Sequence, residues 1–129
     1  MRRLPWLAVL LAGCGPQTAE PRRTGGGDAQ AGAIVFRRCA ACHTISSSGP
    51  DTDGPNLYGV VGAPVAERRP RFAYTAALQG LGGSWDPKRL DAWLANPRRM
   101  VPGTAMNFAG LRDPKDRADV IAYLAANGP

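Results

Sequence analysis

The chain has 129 residues, 44% of them hydrophobic and 20% charged, with a formal charge of +6. That is the length of one domain. The positive excess, mostly arginine, is too small and too dispersed to indicate nucleic acid, and fits electrostatic docking onto an acidic protein partner. Sixteen glycines and twelve prolines predict a chain rich in loops, and a core this small is marginal without added stabilisation.

Residues 1–13 read as an export signal. Arg2 and Arg3 supply the positive start, and Leu4 to Ala12 form an apolar run broken only by Pro5. A bilayer-spanning helix needs about 20 residues, so this run is too short to cross. It ends in Leu11-Ala12-Gly13-Cys14, which resembles the lipobox of bacterial lipoproteins. Cleavage before Cys14 and lipid on its thiol would hold the chain at a membrane. Removal of Arg2 and Arg3 lowers the net charge to +4. Residues 14–27 then form the lipidated N-terminus and a linker. The stretch Pro16 to Gly27 has no apolar period and many helix breakers, and predicts a flexible tether.

The domain is predicted over residues 28–129. Asp28 is a helix N-cap, and the run Ala29 to Ala40 places Ile34 and Val35 beside Gly32 and Phe36 on an amphipathic helix. A long irregular stretch runs from Thr44 to Arg71. Loops of that length are uncommon unless they wrap something. Phe72 to Leu78 predicts a short helix. Asp86-Pro87 pairs an N-cap with proline at N1 and starts a helix to about Asn96, with Leu90, Trp93 and Leu94 on one face. A loop follows from Pro97 to Arg112. Asp113-Pro114 repeats the start signal for a last helix to about Ala126. No strand is expected, and the fold class is all-α with three main helices.

The chemistry concentrates at Cys39-Ala40-Ala41-Cys42-His43. This is the C-x-x-C-H pattern of c-type haem attachment. Two intervening residues let both sulfurs reach the vinyl groups on one edge of the porphyrin, and the next residue turns its imidazole to the iron. A disulfide exchanger would sit near a βαβ pattern, which is lacking here. A structural zinc site needs four ligands, and with Cys14 given to lipid only two cysteines and one histidine remain. Because His43 is the only histidine in the chain, neither bis-histidine ligation nor a second haem can be built from it. The sixth ligand is expected to be methionine, which suits a carrier by raising the haem potential. Met100 and Met106 both survive signal removal. Met106 lies in a loop bracketed by proline and Gly110, whereas Met100 follows Arg98-Arg99 and looks like a packing residue. Composition alone does not choose Met106 as a ligand, because methionines fill cores more often than they bind metals.

Further motifs then line up: Gly54-Pro55-Asn56-Leu57, Phe72-Ala73-Tyr74-Thr75, Asn96-Pro97, Pro102-Gly103-Thr104-Ala105-Met106 and Asp119-Val120-Ile121-Ala122-Tyr123-Leu124. With the C-x-x-C-H segment they resemble a class I cytochrome c of the bacterial and mitochondrial soluble type, over about Asp28 to Ala126. The resemblance implies a cytochrome c fold wrapped around one haem c. It implies His43 and Met106 as axial ligands and a Pro55 carbonyl accepting from the other nitrogen of His43. It implies Tyr74 and Trp85 at a haem propionate, with Thr75 nearby. Gly32 and Phe36 would meet Tyr123 where the first and last helices cross, and Phe108 would lie beside the haem. Departures are Ala105 for a common lysine, Trp93 for a common tyrosine, Ala63 for a common arginine and Leu78 for a common asparagine. The lysine-based docking surface is therefore in question, with Arg38, Arg98 and Arg99 as replacements.

The expected function is electron transfer, with iron cycling between Fe(II) and Fe(III) and no catalysis. The expected carrier is a monomer on the periplasmic side, exchanging electrons with respiratory or photosynthetic membrane complexes. A haem sensor or peroxidase-like enzyme would need an open sixth site, and a subunit of a larger oxidase or dehydrogenase is compatible with the same motifs.

Overall fold

The computed structural model describes residues 26–129. The signal, Cys14 and nearly all of the linker lie outside them. Five helices follow in order: α1 (Ala29–Phe36), α2 (Ala76–Gln79), α3 (Pro87–Ala95), α4 (Pro97–Met100) and α5 (Pro114–Ala126). Among the described residues there is no β-strand, only an isolated bridge between Pro64 and Ser84. No described helix is long and apolar enough to cross a membrane.

Each helix starts on a side-chain cap. Asp28 accepts from Gln30 N at 2.8 Å, Asp86 from Arg89 N at 2.8 Å and Asp113 from Lys115 N at 2.8 Å. These bonds satisfy amides that have no partner within the helix. Proline at the start of α3, α4 and α5 costs nothing, because its missing N–H falls where none is needed.

Three expected boundaries differ. The first helix ends at Phe36 rather than Ala40, and beyond it the chain tightens into turns: Cys39 N donates to Phe36 O at 2.7 Å and His43 N to Cys39 O at 3.0 Å. The short helix expected over Phe72 to Leu78 begins only at Ala76, because Thr75 is its cap, accepting from Leu78 N at 3.2 Å. The loop expected over Pro97 to Arg112 opens with α4. Asn96 ends α3 and also starts α4, its side chain accepting from Arg99 N at 3.0 Å. Met100 closes that turn and packs against the core, as a packing residue should.

The crossing of α1 and α5 organises the fold. Gly32 and Phe36 are buried on the inner face of α1. Ile34 is not beside them. It is 63% exposed, because two residues on a helix turn about 200° from Gly32. Phe36 meets Tyr123 with ring centroids 5.3 Å apart. Asp119 of α5, 3% exposed, accepts from Asp28 N at 2.8 Å and pairs with Lys115. Those two hydrogen bonds hold its carboxyl below the usual carboxylate range. Thus the residue that caps α1 is itself held by α5.

Helix α5 is also tied to α3. Arg117 donates to Asp91 Oδ1 at 2.7 Å and to the carbonyls of Leu111 and Arg112 at 2.9 and 3.0 Å. Leu90, Trp93 and Leu94 of α3 join Val120, Ile121 and Leu124 of α5 in one core. Trp85, just before α3, packs on Trp93 at 5.4 Å between centroids.

Candidate haem site

The turns that follow α1 present both thiols and the imidazole. Cys42 N donates to Cys39 O at 3.1 Å, so the two cysteines close one turn of chain and His43 follows directly. Burial pushes the Cys39 thiol above its ordinary pKa, only partly offset by Arg38. A disulfide exchanger needs the reverse shift, toward thiolate.

His43 is positioned from two sides. Its Nδ1 lies 2.7 Å from Pro55 O. A carbonyl can only accept, so Nδ1 carries the proton and Nε2 keeps its lone pair. Burial holds the imidazole below its ordinary pKa, with the Pro55 hydrogen bond opposing. The ring is therefore neutral at pH 7, as a metal ligand must be. Gly54 packs against the same ring: a Cβ there would sit 2.7 Å from Nδ1 and 2.9 Å from Nε2.

The segment carrying Pro55 is fixed by Asn56, which is 2% exposed. Its side-chain amide donates to Thr44 Oγ1 and Ser46 O, both at 2.8 Å, and its Oδ1 accepts from Tyr58 N at 2.7 Å. The long stretch from Thr44 onward is thus held by side chain–backbone bonds rather than by regular structure.

Cys39, Cys42, His43 and Met106 line one cavity of about 600 Å³. Pro55, Tyr74, Thr75, Trp85 and Phe108 line the same cavity. Met106 lines it and Met100 does not. The Met106 loop is braced by Met106 N donating to Thr104 Oγ1 at 3.2 Å and by Arg98 donating to Asn107 Oδ1 at 2.7 Å. Leu90 and Leu94 of α3 with Val120 and Leu124 of α5 supply the apolar floor. Tyr74 has its hydroxyl 3.3 Å from Arg69 N, which donates to it.

Arg68 also lines the cavity and was not anticipated from the sequence. It belongs to the charged run Glu67-Arg68-Arg69-Pro70-Arg71, which reads as ordinary solvated surface. In the fold its Nε donates to Tyr58 O at 3.2 Å, and its guanidinium packs on Gly59. Ala63, at the position where the family commonly has arginine, is absent from the wall.

The donor set fits a haem and not a bare metal ion. Among the described residues no group of three or more His, Cys, Asp or Glu side chains could hold an ion. A porphyrin brings four of its own iron ligands, so a site for it would need only an imidazole and a thioether, both of which line this cavity.

Comparison with known proteins agrees. The sequence model of the cytochrome c family matches residues 29–127. A cytochrome c homologue of Bradyrhizobium diazoefficiens is 50% identical over 93 residues, covering 72% of this chain and 50% of that protein. Cytochrome c2 of Rhodomicrobium vannielii is 46% identical over 99 residues, covering 77% of this chain and 78% of its own. The solved structure of cytochrome cH from Methylobacterium extorquens superimposes with a TM-score of 0.73 at 45% identity, covering 78% of this chain and 99% of that one. The chain belongs to the cytochrome c family. Its cofactor is a single covalently attached haem c, and its domain is an electron carrier rather than an enzyme.

Proposed function

We propose that Cys39 and Cys42 carry the haem thioethers, that His43 and Met106 ligate the iron, and that the chain shuttles single electrons between membrane-associated redox complexes. The observation that carries this reading is one cavity whose lining brings together both thiols, the oriented imidazole and Met106. The haem supplies the Fe(II)/Fe(III) couple. His43 offers its Nε2 lone pair, held in that tautomer by Pro55. Met106 offers a soft thioether that favours the reduced state and raises the potential. With His43 and Met106 both holding the iron, no position on it would be left for a substrate. The leucines and valine of α3 and α5 exclude water. Tyr74, Trp85 and Arg68 offer hydrogen-bond donors and a cation to the propionates. Replacing both Cys39 and Cys42 by serine removes both thioethers. Haem staining on a denaturing gel should then be lost, and its retention in the double variant counts against the assignment.

The finer location rests on the sequence. Cleavage before Cys14 and lipidation of its thiol anchor the carrier on the periplasmic face of the membrane, with residues 14–27 as tether. A tether of this kind raises the effective concentration of the haem domain near membrane partners, respiratory or photosynthetic. Cys14→Ser should move the holoprotein from the membrane to the soluble fraction. Persistence in washed membranes would contradict the anchor.

A further inference from the structure

The peptide unit joining Pro55 to Asn56 has two faces, and both are used. Its carbonyl accepts from His43 Nδ1 at 2.7 Å. Its N–H, that of Asn56, donates to Asp51 Oδ1 at 2.8 Å. The same carboxylate oxygen accepts from Arg69 Nε at 2.7 Å. Asp51 and Arg69 are partly shielded, with side chains 23% and 31% exposed. Asn56, buried and bonded at both polar atoms of its side chain, holds the peptide plane in place.

We infer that Asp51 is a positioning residue that tunes the haem potential through this peptide, with Arg69 setting how strongly it does so. An anion at the N–H end of an amide increases negative charge at its oxygen. Hydrogen bonds in series strengthen one another in this way, by about 10–30% per bond. The Pro55 carbonyl thereby becomes a better acceptor for the His43 proton. The imidazole gains anionic character, donates more strongly to iron and stabilises Fe(III). Arg69 opposes the effect by drawing charge from the same oxygen. Asp51 is ionised at neutral pH: burial raises its pKa, but the bonds from Arg69 and Asn56 outweigh it and carry the net shift downward. Arg69 also reaches Gly49 O at 3.4 Å and offers its N–H to Tyr74, so the same residue joins the proximal loop to the Tyr74 segment.

The inference rests on His43 being the proximal ligand, and the test separates the two. In the reduced wild-type holoprotein, NMR of the His43 ring protons checks ligation, since a haem ligand shows a large ring-current displacement. If that displacement is lacking, the ligand assignment fails and the relay with it. Given ligation, Asp51→Asn keeps the shape and both acceptor contacts but removes the charge. Its reduction equilibrium should shift toward Fe(II) by about threefold or more, roughly 30 mV at ~59 mV per tenfold. Its His43 Nδ1–H resonance should move upfield as the bond to Pro55 weakens. Arg69→Gln should shift both quantities the opposite way, and Arg69→Lys should stay near wild type. Loosened structure would instead move Asp51→Asn and Arg69→Gln in the same direction. That result, or a potential shift with the Nδ1–H resonance unmoved, overturns the relay.

Discussion

Gly32→Val should lower the thermal midpoint of the holoprotein by about 10–20 °C, because α1 and α5 touch backbone to backbone at this residue. A Cβ on Gly32 would collide with the Asp119 carbonyl oxygen, lie 2.6 Å from its carbon and 2.8 Å from Tyr123 Cβ. None of these atoms is the end of a flexible chain. Replacing glycine inside a helix normally gains up to about 1 kcal/mol, but overpacking a fixed contact costs about 1–3 kcal/mol and sometimes more. Each kcal/mol is worth about 4–8 °C in a domain of this size. The crossing also carries the Phe36–Tyr123 pair and the Asp28–Asp119 hydrogen bond, so helices forced apart lose these as well. Differential scanning calorimetry decides the matter. A midpoint within a few degrees of wild type would mean that the crossing is slack.

Gly54→Ala should damage the haem site with little effect elsewhere. The new methyl group overlaps the His43 ring. The backbone cannot easily retreat, since Gly54 N donates to Cys42 O at 2.8 Å and Gly54 O accepts from Thr52 N at 2.9 Å. The ring must therefore leave the Pro55 carbonyl, at about 1–3 kcal/mol for a buried polar group left unpaired. The expected result is a fall in six-coordinate haem and a changed reduction potential. Gly80→Ala is the matched control, with φ −70° and its nearest atom, Ala76 O, at 3.3 Å from the added Cβ. Equal spectra and potentials for the two variants would remove Gly54 from the account.

What could be read in the sequence is what local chemistry determines. The caps Asp28, Asp86 and Asp113 are legible because each bonds an amide two or three residues ahead. The C-x-x-C-H spacing is legible because the thiols and the imidazole must reach one porphyrin from one turn. Asn96-Pro97 was half legible. It stops α3 as expected, but the same asparagine caps α4, and nothing in an Asn-Pro pair tells a stop from a stop followed by a start. Met106 could not be chosen over Met100 by composition, since both are soft side chains near the same helix end. The resemblance favours Met106; both methionines pack against the core, and in the fold Met106 lines the cavity whereas Met100 does not. The stretch from Thr44 to Arg71 was least legible. Its order comes from aperiodic contacts such as Asn56 with Ser46 and Asp51 with Arg69, so Arg68 and Arg69 look like surface charge until the chain has folded.

The central claim is that His43 and Met106 close both axial positions of one covalent haem. The most direct test is the absorption spectrum of the oxidised holoprotein in the far red, where iron–sulfur ligation gives a weak band. The account predicts the band in the wild type and in Met100→Ala. It predicts loss of the band in Met106→Ala, with the iron then open to cyanide in the oxidised form and carbon monoxide in the reduced form. A band that survives in Met106→Ala, or a wild type that lacks it and binds these ligands readily, would contradict the account.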